Sequence, residues 1–407
     1  MKPHPLMPSA ASILLALVCS AGVLTAQVDT GSGEPRLVPV EECSDLTSLV
    51  EKSSAAMSAE KWSEALELNT QAVTRFGRND PFKQYGAQFG ALYFRKGICQ
   101  MKLKKWSDAM QSFEVCYRDF PNHGVERENV FQKMALLKMG EVAMALEKWD
   151  LAVTQFRKFI EERDKMHDLF PHGTFYISMA SCLYRLGDIT QGNENLEIAI
   201  NNKALFPTPE SGIMAAFEAL VTAVILNHKE QALLDFINKN RGGLIVESYI
   251  MHRYSSVFIK LAGDAIQADM QRTAMALYQL APSTEVALDD ARARLKDCVD
   301  PVEKSELEET VKELETALDG SNTPEMIQLA GLAFLHEKNG NIRGAFAAYQ
   351  QLELYFPNAL NREENLFNLV RTSYLIKEPE RAREYAGKLI KDFPESFHVL
   401  ELRRMME

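Results

Sequence analysis

Three near-identical tryptophan phrases set the architecture of this chain of 407 residues: Trp62-Ser-Glu-Ala65, Trp106-Ser-Asp-Ala109 and Trp149-Asp-Leu-Ala152. They are separated by 44 and 43 residues and contain every tryptophan in the sequence. A fixed period of this length indicates that one supersecondary unit has been copied along the chain, so that each copy buries its apolar face against the next.

Weaker copies of the phrase continue downstream. After each anchor alanine, positions four and seven residues on are mostly apolar or aromatic, as on one stripe of an amphipathic helix. The anchors are Ala65, Ala109, Ala152, Gly192, Ala232, Thr273, Ala345 and Ala382. The sequence therefore predicts about eight units.

Each unit also carries a second helical pattern upstream of its anchor. Several of these upstream helices have a small residue nine positions before the tryptophan equivalent: Gly97, Gly140, Ala180 and Ala333. Two helices approach closely only where one presents almost no side chain, and short polar turns such as Leu186-Gly187-Asp188 join the two patterns. Each unit is predicted to be an antiparallel helical hairpin.

Aromatic and proline pairs end several units, at Phe120-Pro121, Phe206-Pro207, Phe356-Pro357 and Phe393-Pro394. Proline cannot continue a helix, so the helix stops there. The order of small, aromatic and proline positions resembles the tetratricopeptide repeat (TPR), and the exits resemble those of exported bacterial TPR proteins of the outer-membrane assembly and cell-division coordinator type. The resemblance implies an all-α fold, a right-handed TPR-like superhelical solenoid.

Two features depart from the family. The anchor spacing exceeds the 34 residues usual for TPR units, and a step of 72 residues separates Thr273 from Ala345. We interpret the excess, residues 283–320, as an inserted charged helical hairpin between N-terminal repeats at 43–282 and C-terminal repeats with a capping helix at 321–407. Its acidic run is either a solvated face or a partner surface.

The N-terminus resembles an export signal. A short basic start, an apolar run from Ala10 to Val18 and small residues through Ala26 predict a signal peptide at 1–26, cleaved after Ala21 at the earliest. An uncleaved anchor is the alternative. Because Leu17-Val18 precedes Cys19, lipidation is disfavoured, and residues 27–42 are predicted to be a flexible lead-in. We expect a periplasmic or envelope-associated protein if the source is bacterial.

Charge and cysteine content exclude several classes. The net charge of -11 opposes binding to nucleic acid, and no basic stripe interrupts it. No C-x-x-C pair is present, so a zinc site is not expected. Cys99, Cys116 and Cys182 fall on apolar helical faces and are interpreted as small buried hydrophobic residues.

No catalytic motif was found, and the chain is predicted not to be an enzyme. It has no glycine-rich phosphate loop, no G-x-S-x-G and no H-E-x-x-H. His167 and His172, the closest histidine pair, do not share a helical face, so no metal or cofactor is expected. A hydrolase hidden on a helical scaffold has little support.

The remaining hypothesis is binding. In TPR proteins the first helices line the concave surface, which gives a candidate partner-binding set rich in interface anchors: Phe94, Ile98, Met101, Lys102, Leu137, Glu141, Met144, Ile177, Tyr184, Arg185, Phe367, Arg371 and Tyr374. The family's carboxylate clamp does not appear, since Phe94, Leu137 and Ile177 stand where its basic residues belong. We expect a scaffold that binds protein or peptide segments, with outer-membrane proteins among the expected partners. A solute- or glycan-binding envelope protein is the alternative.

Overall fold

A computed structural model describes residues 40–76, 87–120, 130–163, 174–201, 210–244, 247–318 and 323–406. The predicted signal peptide lies outside these ranges, as do Pro121, Phe206-Pro207, His167 and His172. The first described helix begins at Val40, so the end of the predicted lead-in is already helical.

Every element in the described residues is an α-helix, and the predicted all-α fold is confirmed. In chain order the helices are α1 (Val40–Ser58), α2 (Trp62–Phe76), α3 (Ala87–Lys102), α4 (Trp106–Asp119), α5 (Val130–Ala145), α6 (Trp149–Arg163), α7 (Thr174–Arg185), α8 (Ile189–Asn201), α9 (Glu210–Asn227), α10 (Glu230–Leu244), α11 (Ser248–His252), α12 (Ser255–Gln267), α13 (Gln271–Leu280), α14 (Thr284–Asp297), α15 (Pro301–Leu318), α16 (Thr323–Lys338), α17 (Ile342–Tyr355), α18 (Arg362–Leu375), α19 (Pro379–Asp392) and α20 (Phe397–Met406).

The chain forms two compact units, Met1–Phe170 and Pro171–Glu407. In the described part of unit 1, α1 pairs with α2, α3 with α4 and α5 with α6, and consecutive hairpins pack through α2 on α3 and α4 on α5. Phe94, Phe113, Cys116 and Val142 are buried in its core. Each hairpin thus buries one face internally and the other against its neighbour.

One turn geometry recurs in eight hairpins of the described residues. In each of them a residue in the left-handed region, with φ between 52° and 79°, follows one or two positions after the end of the first helix: Glu60, Lys104, Glu147, Gly187, His228, Asp269, Gly340 and Lys377. The next residue donates its backbone N–H to the carbonyl five residues back, as from Lys105 to Gln100 at 2.8 Å. This pattern is the Schellman motif. The three tryptophans are the first residues of the second helices α2, α4 and α6.

The turn register corrects two of the predicted anchors. Counting from the left-handed residue, the anchor position is occupied by Leu233 and Ala274 in the fifth and sixth hairpins, rather than by Ala232 and Thr273. Leu233 and Ala274 are fully buried, whereas Ala232 is half-buried. The sequence placed these anchors one residue early because Ala232 and Thr273 are small residues directly before Leu233 and Ala274, and Thr273 is itself fully buried.

The predicted close approach of paired helices is present in unit 1. A β-carbon on Gly97 would lie 2.6 Å from the Phe113 ring, and one on Gly140 would lie 2.5 Å from the Phe156 ring. Real β-carbons do not approach other atoms this closely. The aromatic residue four positions after the anchor therefore occupies the space that the glycine leaves open.

Unit 2 contains the hairpins α7/α8, α9/α10, α12/α13, α14/α15, α16/α17 and α18/α19, followed by α20. Helix α16 packs against both α12 and α13, so the repeat stack continues past the α14/α15 hairpin. Gln328 of α16 secures this junction by donating to the carbonyls of Tyr278 and Ala281 at 2.7 and 2.9 Å.

The α14/α15 hairpin occupies the segment where the sequence predicted an insertion. It packs on α11, and its small core includes Tyr249, Leu288 and Leu307. The carboxylate of Asp300 caps α15 by accepting from the backbone N–H groups of Val302 and Glu303 at 2.8 and 3.1 Å. The hairpin has its own apolar centre, which explains how it fits beside the stack without interrupting it.

Helix α9 is, within the described residues, the one helix long and apolar enough to cross a membrane by length and composition. Its Ile213, Phe217, Leu220 and Val224 are buried in the largest core of unit 2. This is weak evidence for a membrane span, because the central helix of a folded core has the same composition.

Candidate protein-binding surface

The left-handed turn residue gives the first helices of the eight hairpins that contain it a common register. In each unit we define the first-helix face as the residues two, three and six positions before the turn residue on the first helix of a hairpin. These positions lie on one side of a helix. Nine predicted site residues occupy these positions: Ile98, Met101, Lys102, Glu141, Met144, Tyr184, Arg185, Arg371 and Tyr374.

Four of the predicted site residues are buried, so the structure removes them from the candidate surface. Phe94, Ile177 and Phe367 lie ten positions before the turn, one helical turn deeper than the first-helix face. Phe94 packs against Phe113 of α4 and Phe131 of α5, with ring centroids 5.5 and 5.4 Å away. The deeper position therefore fills the junction between consecutive hairpins.

Tyr184 is the fourth buried residue, although it occupies a face position. Only 2% of it is exposed, because its ring lies over Gly192 of α8. Its hydroxyl donates to Asn193 Oδ1 at 2.9 Å, and burial raises the pKa of the phenol. In this hairpin the aromatic residue comes from the first helix and the glycine from the second, the reverse of the arrangement of Gly140 and Phe156.

The remaining unit 1 residues form a mixed surface. Ile98, Met101 and Met144 are half-buried, as is Leu137 ten positions before its turn. The Lys102 ammonium is exposed and lies 5.4 Å from the centre of the Trp62 ring. Glu141 accepts from Lys138 Nζ at 2.8 Å. The face in unit 1 therefore presents apolar side chains flanked by charges that already have partners.

In unit 2 the face connects consecutive first helices through an ion pair. Arg371 of α18 donates to both carboxylate oxygens of Glu337 of α16, at 2.5 and 2.6 Å. Tyr374 is 39% exposed beside it. Arg185 is exposed at the end of α7. Arg371 consequently has a structural role, and its replacement would leave the Glu337 carboxylate without its cationic partner.

Several exposed face residues of unit 2 were missed by the sequence reasoning, which assigned no site residue on α9, α12 or α16. Phe334 of α16 is 49% exposed and Leu226 of α9 is 75% exposed. Lys338 lies 6.0 Å above the Phe334 ring. The turn register would have found them, since Phe334 and Leu226 occupy the same positions relative to their turns as Arg371 and Arg185.

A cleft of about 280 Å³ opens in the first-helix face between α7 and α9. Ala219, Ala223 and Tyr184 line it together with Leu186 and Leu226, and its polar lining groups are those of Arg185, Thr222 and Asn227. Two of these polar side chains, Thr222 and Asn227, donate hydrogen bonds to carbonyls of α9 itself. Thr222 donates to the Glu218 carbonyl, and Asn227 Nδ2 donates to the Ala223 carbonyl, each at 2.8 Å.

The titratable groups with shifted pKa values in the described part of the chain include buried cysteines and one histidine. Burial raises the pKa of both Cys116 and Cys182 to about 12, so their thiols stay protonated. Burial also lowers the pKa of His252, whose Nε2 lies 3.2 Å from Thr284 Oγ1. Within the described ranges, no group of three or more metal-binding side chains comes together.

Comparison with known proteins agrees with the hairpin geometry. The tetratricopeptide repeat profile matches residues 91–123, 134–164 and 364–396. These stretches cover most of the hairpins α3/α4, α5/α6 and α18/α19. No curated protein matches the sequence.

Solved structures with a similar arrangement of helices share little sequence with this chain. The C-terminal part of a TPR repeat-containing protein from Cytophaga hutchinsonii is 14% identical, with a TM-score of 0.40 over 77% of this chain and 98% of that one. A tetratricopeptide repeat protein from Parabacteroides merdae is 11% identical, with a TM-score of 0.37 over 81% and 99% of the two chains. A Rap protein complexed with Competence and Sporulation Factor is also 11% identical, with a TM-score of 0.32 over 86% and 97%. From its profile matches and its own helical hairpins, the chain contains tetratricopeptide repeats.

Proposed function

We propose that the protein is a non-catalytic exported scaffold that binds segments of partner proteins on the first-helix face. One observation carries the proposal. The face of unit 2 exposes large apolar and aromatic side chains, Leu226, Phe334 and Tyr374, on helices whose opposite sides are buried in the core. Exposed aromatic and aliphatic side chains next to arginine and lysine are typical of interface centres.

The chemistry of the face favours an apolar partner segment. Its charges are largely balanced within the protein, as in the pair of Arg371 with Glu337 and that of Lys338 with Asp269 at 3.5 Å. Apolar contacts would then supply most of the affinity, with the charges setting orientation. By analogy with the exported bacterial TPR proteins that the sequence resembles, we expect outer-membrane proteins as partners.

Export is the second part of the proposal and rests on the sequence of residues 1–26. Expression of the full chain in a bacterial host, followed by N-terminal sequencing of the protein in the periplasmic fraction, would test it. We expect a mature N-terminus between residues 22 and 27. An unprocessed chain retained in the cytoplasm would refute the export proposal and leave the binding proposal standing.

Binding is tested by a double variant, Phe334→Ser with Tyr374→Ser, in a pull-down from envelope extract. Leu354 is 71% exposed on α17, a second helix, and Leu354→Ser is the matched control. We expect partners retained by the wild type and by the control to be lost in the double variant at unchanged melting temperature. Equal retention by all three proteins would contradict the proposal.

A further inference from the structure

Helix α20 is held firmly on the side that packs against α18 and α19. Val399 is buried in the core that the three helices share. The His398 ring stacks on Phe367 of α18, with the ring centroids 4.5 Å apart. Ser396 accepts from the His398 backbone N–H at 3.0 Å and donates to the Glu363 carboxylate of α18. The orientation of α20 is therefore defined, and its opposite, outer side is a fixed surface.

This outer side of α20 is apolar. Phe397 is 68% exposed and Leu400 is 55% exposed, one helical turn apart and away from the buried Val399 and Leu402. The hairpin α1/α2 differs, since none of its described side chains is both large, apolar and exposed. The outermost helices of a repeat protein need a polar outer side to stay soluble. Helix α20 does not meet this requirement unless a partner covers it.

The end of α19 carries a further uncovered apolar residue. Thirteen positions after the left-handed turn residue, α4 and α17 carry Tyr117 and Glu353, and both residues bind the following hairpin. Tyr117 donates to Glu162 of α6 at 2.9 Å, and Glu353 accepts from Arg362 of α18 at 2.8 Å. Ile390 has the same position in α19 and is 42% exposed. The side of α19 that meets a neighbour elsewhere is thus only partly covered by α20.

Charges of opposite sign lie near the two ends of α20. Glu395 is exposed directly before the helix, and Arg403 and Arg404 are near its end in the sequence. Glu395 and Arg404 are almost equally far from Leu400 along the chain. When two copies of α20 pack antiparallel and cross at Leu400, residue 404 of each copy comes beside residue 395 of the other. A second copy therefore matches the apolar centre and both charged ends, as a twofold contact requires.

We infer that a second copy of this chain covers the outer side of α20, so that the protein is a twofold-symmetric dimer with its two α20 helices antiparallel. Phe397 and Leu400 of both copies form the apolar centre of the contact. Glu395 of each copy pairs with Arg404 of the other. The contact uses no residue of the first-helix face, so the dimer presents that face twice and can bind two segments of one assembly.

Sedimentation velocity of the purified full-length protein over a dilution series tests for the dimer. The test variant is Phe397→Ser with Leu400→Ser, and the matched control is Leu354→Ser, because Leu354 is 71% exposed on α17. We expect the wild type and the control to have the mass of two chains. The double variant should dimerise at least about tenfold more weakly at unchanged helical content. A wild type that is monomeric throughout, or a double variant that dimerises like the wild type, would overturn the inference.

The antiparallel arrangement has its own test in two charge variants, Glu395→Lys and Arg404→Glu. Each variant alone places like charges together at both ends of the contact, so each should dimerise more weakly than the wild type. An equal mixture of the two should form a heterodimer, since each end then pairs a cation with a carboxylate. No recovery in the mixture would refute the antiparallel dimer. Loss of the dimer in Phe334→Ser with Tyr374→Ser would also refute it, because α20 would then bind the first-helix face of the other copy.

Discussion

Gly140 of α5 lies directly against the ring of Phe156 of α6, so closely that a β-carbon on Gly140 would fall 2.5 Å from Phe156 Cε1. Both residues are buried, and no flexible chain end is available to move aside. The same relationship joins Gly97 to Phe113 in the preceding hairpin. The distance between paired helices is therefore set by one glycine and one aromatic ring.

Replacement of Gly140 by alanine should lower the free energy of unfolding by about 1–3 kcal/mol, because the added methyl group overpacks the hairpin. Urea unfolding followed by circular dichroism measures the change. Phe156→Leu is the partner variant for a double-mutant cycle. The combined variant should be less destabilised than the sum of the two single changes, by about 1 kcal/mol. Strict additivity would mean that the two residues do not determine the helix spacing.

The second prediction concerns two glycines of unit 2 whose replacement by alanine should change the stability in opposite directions. Gly340 has φ +72°, and a β-carbon there would meet no atom within 4 Å, so Gly340→Ala introduces backbone strain alone. We expect a loss of about 1 kcal/mol of stability. Gly387 lies inside α19, also in open space, and Gly387→Ala should add up to about 1 kcal/mol through helix propensity. Shifts of the same sign in the urea midpoint would contradict this account.

Thiol reactivity gives a third prediction. Cys99, Cys116 and Cys182 are buried, and burial raises the pKa of each thiol. Cys298, between α14 and α15, is partly exposed. The pKa of Cys298 is also raised, so access to solvent makes the difference. Labelling of the native protein with N-ethylmaleimide, followed by peptide mass spectrometry, should modify Cys298 and spare Cys99, Cys116 and Cys182 until urea is added. Rapid native labelling of Cys116 would show that the α3/α4 hairpin opens readily.

His252 gives a prediction for pH dependence. Burial lowers the pKa of this imidazole below its ordinary value of 6.5, while Glu325 opposes the change. The unfolded chain therefore binds the proton first as the pH falls below about 6.5, and stability declines until the pH has passed the lower pKa of the folded state. His252→Gln should lose less stability than the wild type between pH 7.5 and pH 5.5. Equal losses in urea unfolding would show that His252 does not contribute.

The fold was largely predictable from sequence because the repeat signal is carried by packing positions. The spacing of Trp62, Trp106 and Trp149 identified the second helices, and Gly97 and Gly140 identified the close contacts. The register failed at Ala232 and Thr273, where small residues are adjacent to the true anchors. Only the turn geometry distinguishes such neighbours, since periodicity is similar for both choices.

The candidate surface was less predictable. Phe94 and Ile98 lie one helical turn apart, and sequence periodicity places both on the same side of α3. Their different burial depends on Phe131 of the next hairpin, a contact that spacing does not reveal. Tyr184 is buried because the glycine of its hairpin lies on α8 instead of α7. When the large and the small side chain of a hairpin exchange helices, the total side-chain volume is preserved and the hydrophobic periodicity of the sequence does not change.

The central claim, that partners bind on the first-helix face, is tested most directly by site-specific photo-crosslinking in cells. A photoreactive phenylalanine analogue would replace Phe334 on the face and, in a separate variant, Leu354 on a second helix. The account predicts a discrete cross-linked protein from position 334 and none from position 354. Cross-links of equal yield at the two positions, or from position 354 alone, would contradict it.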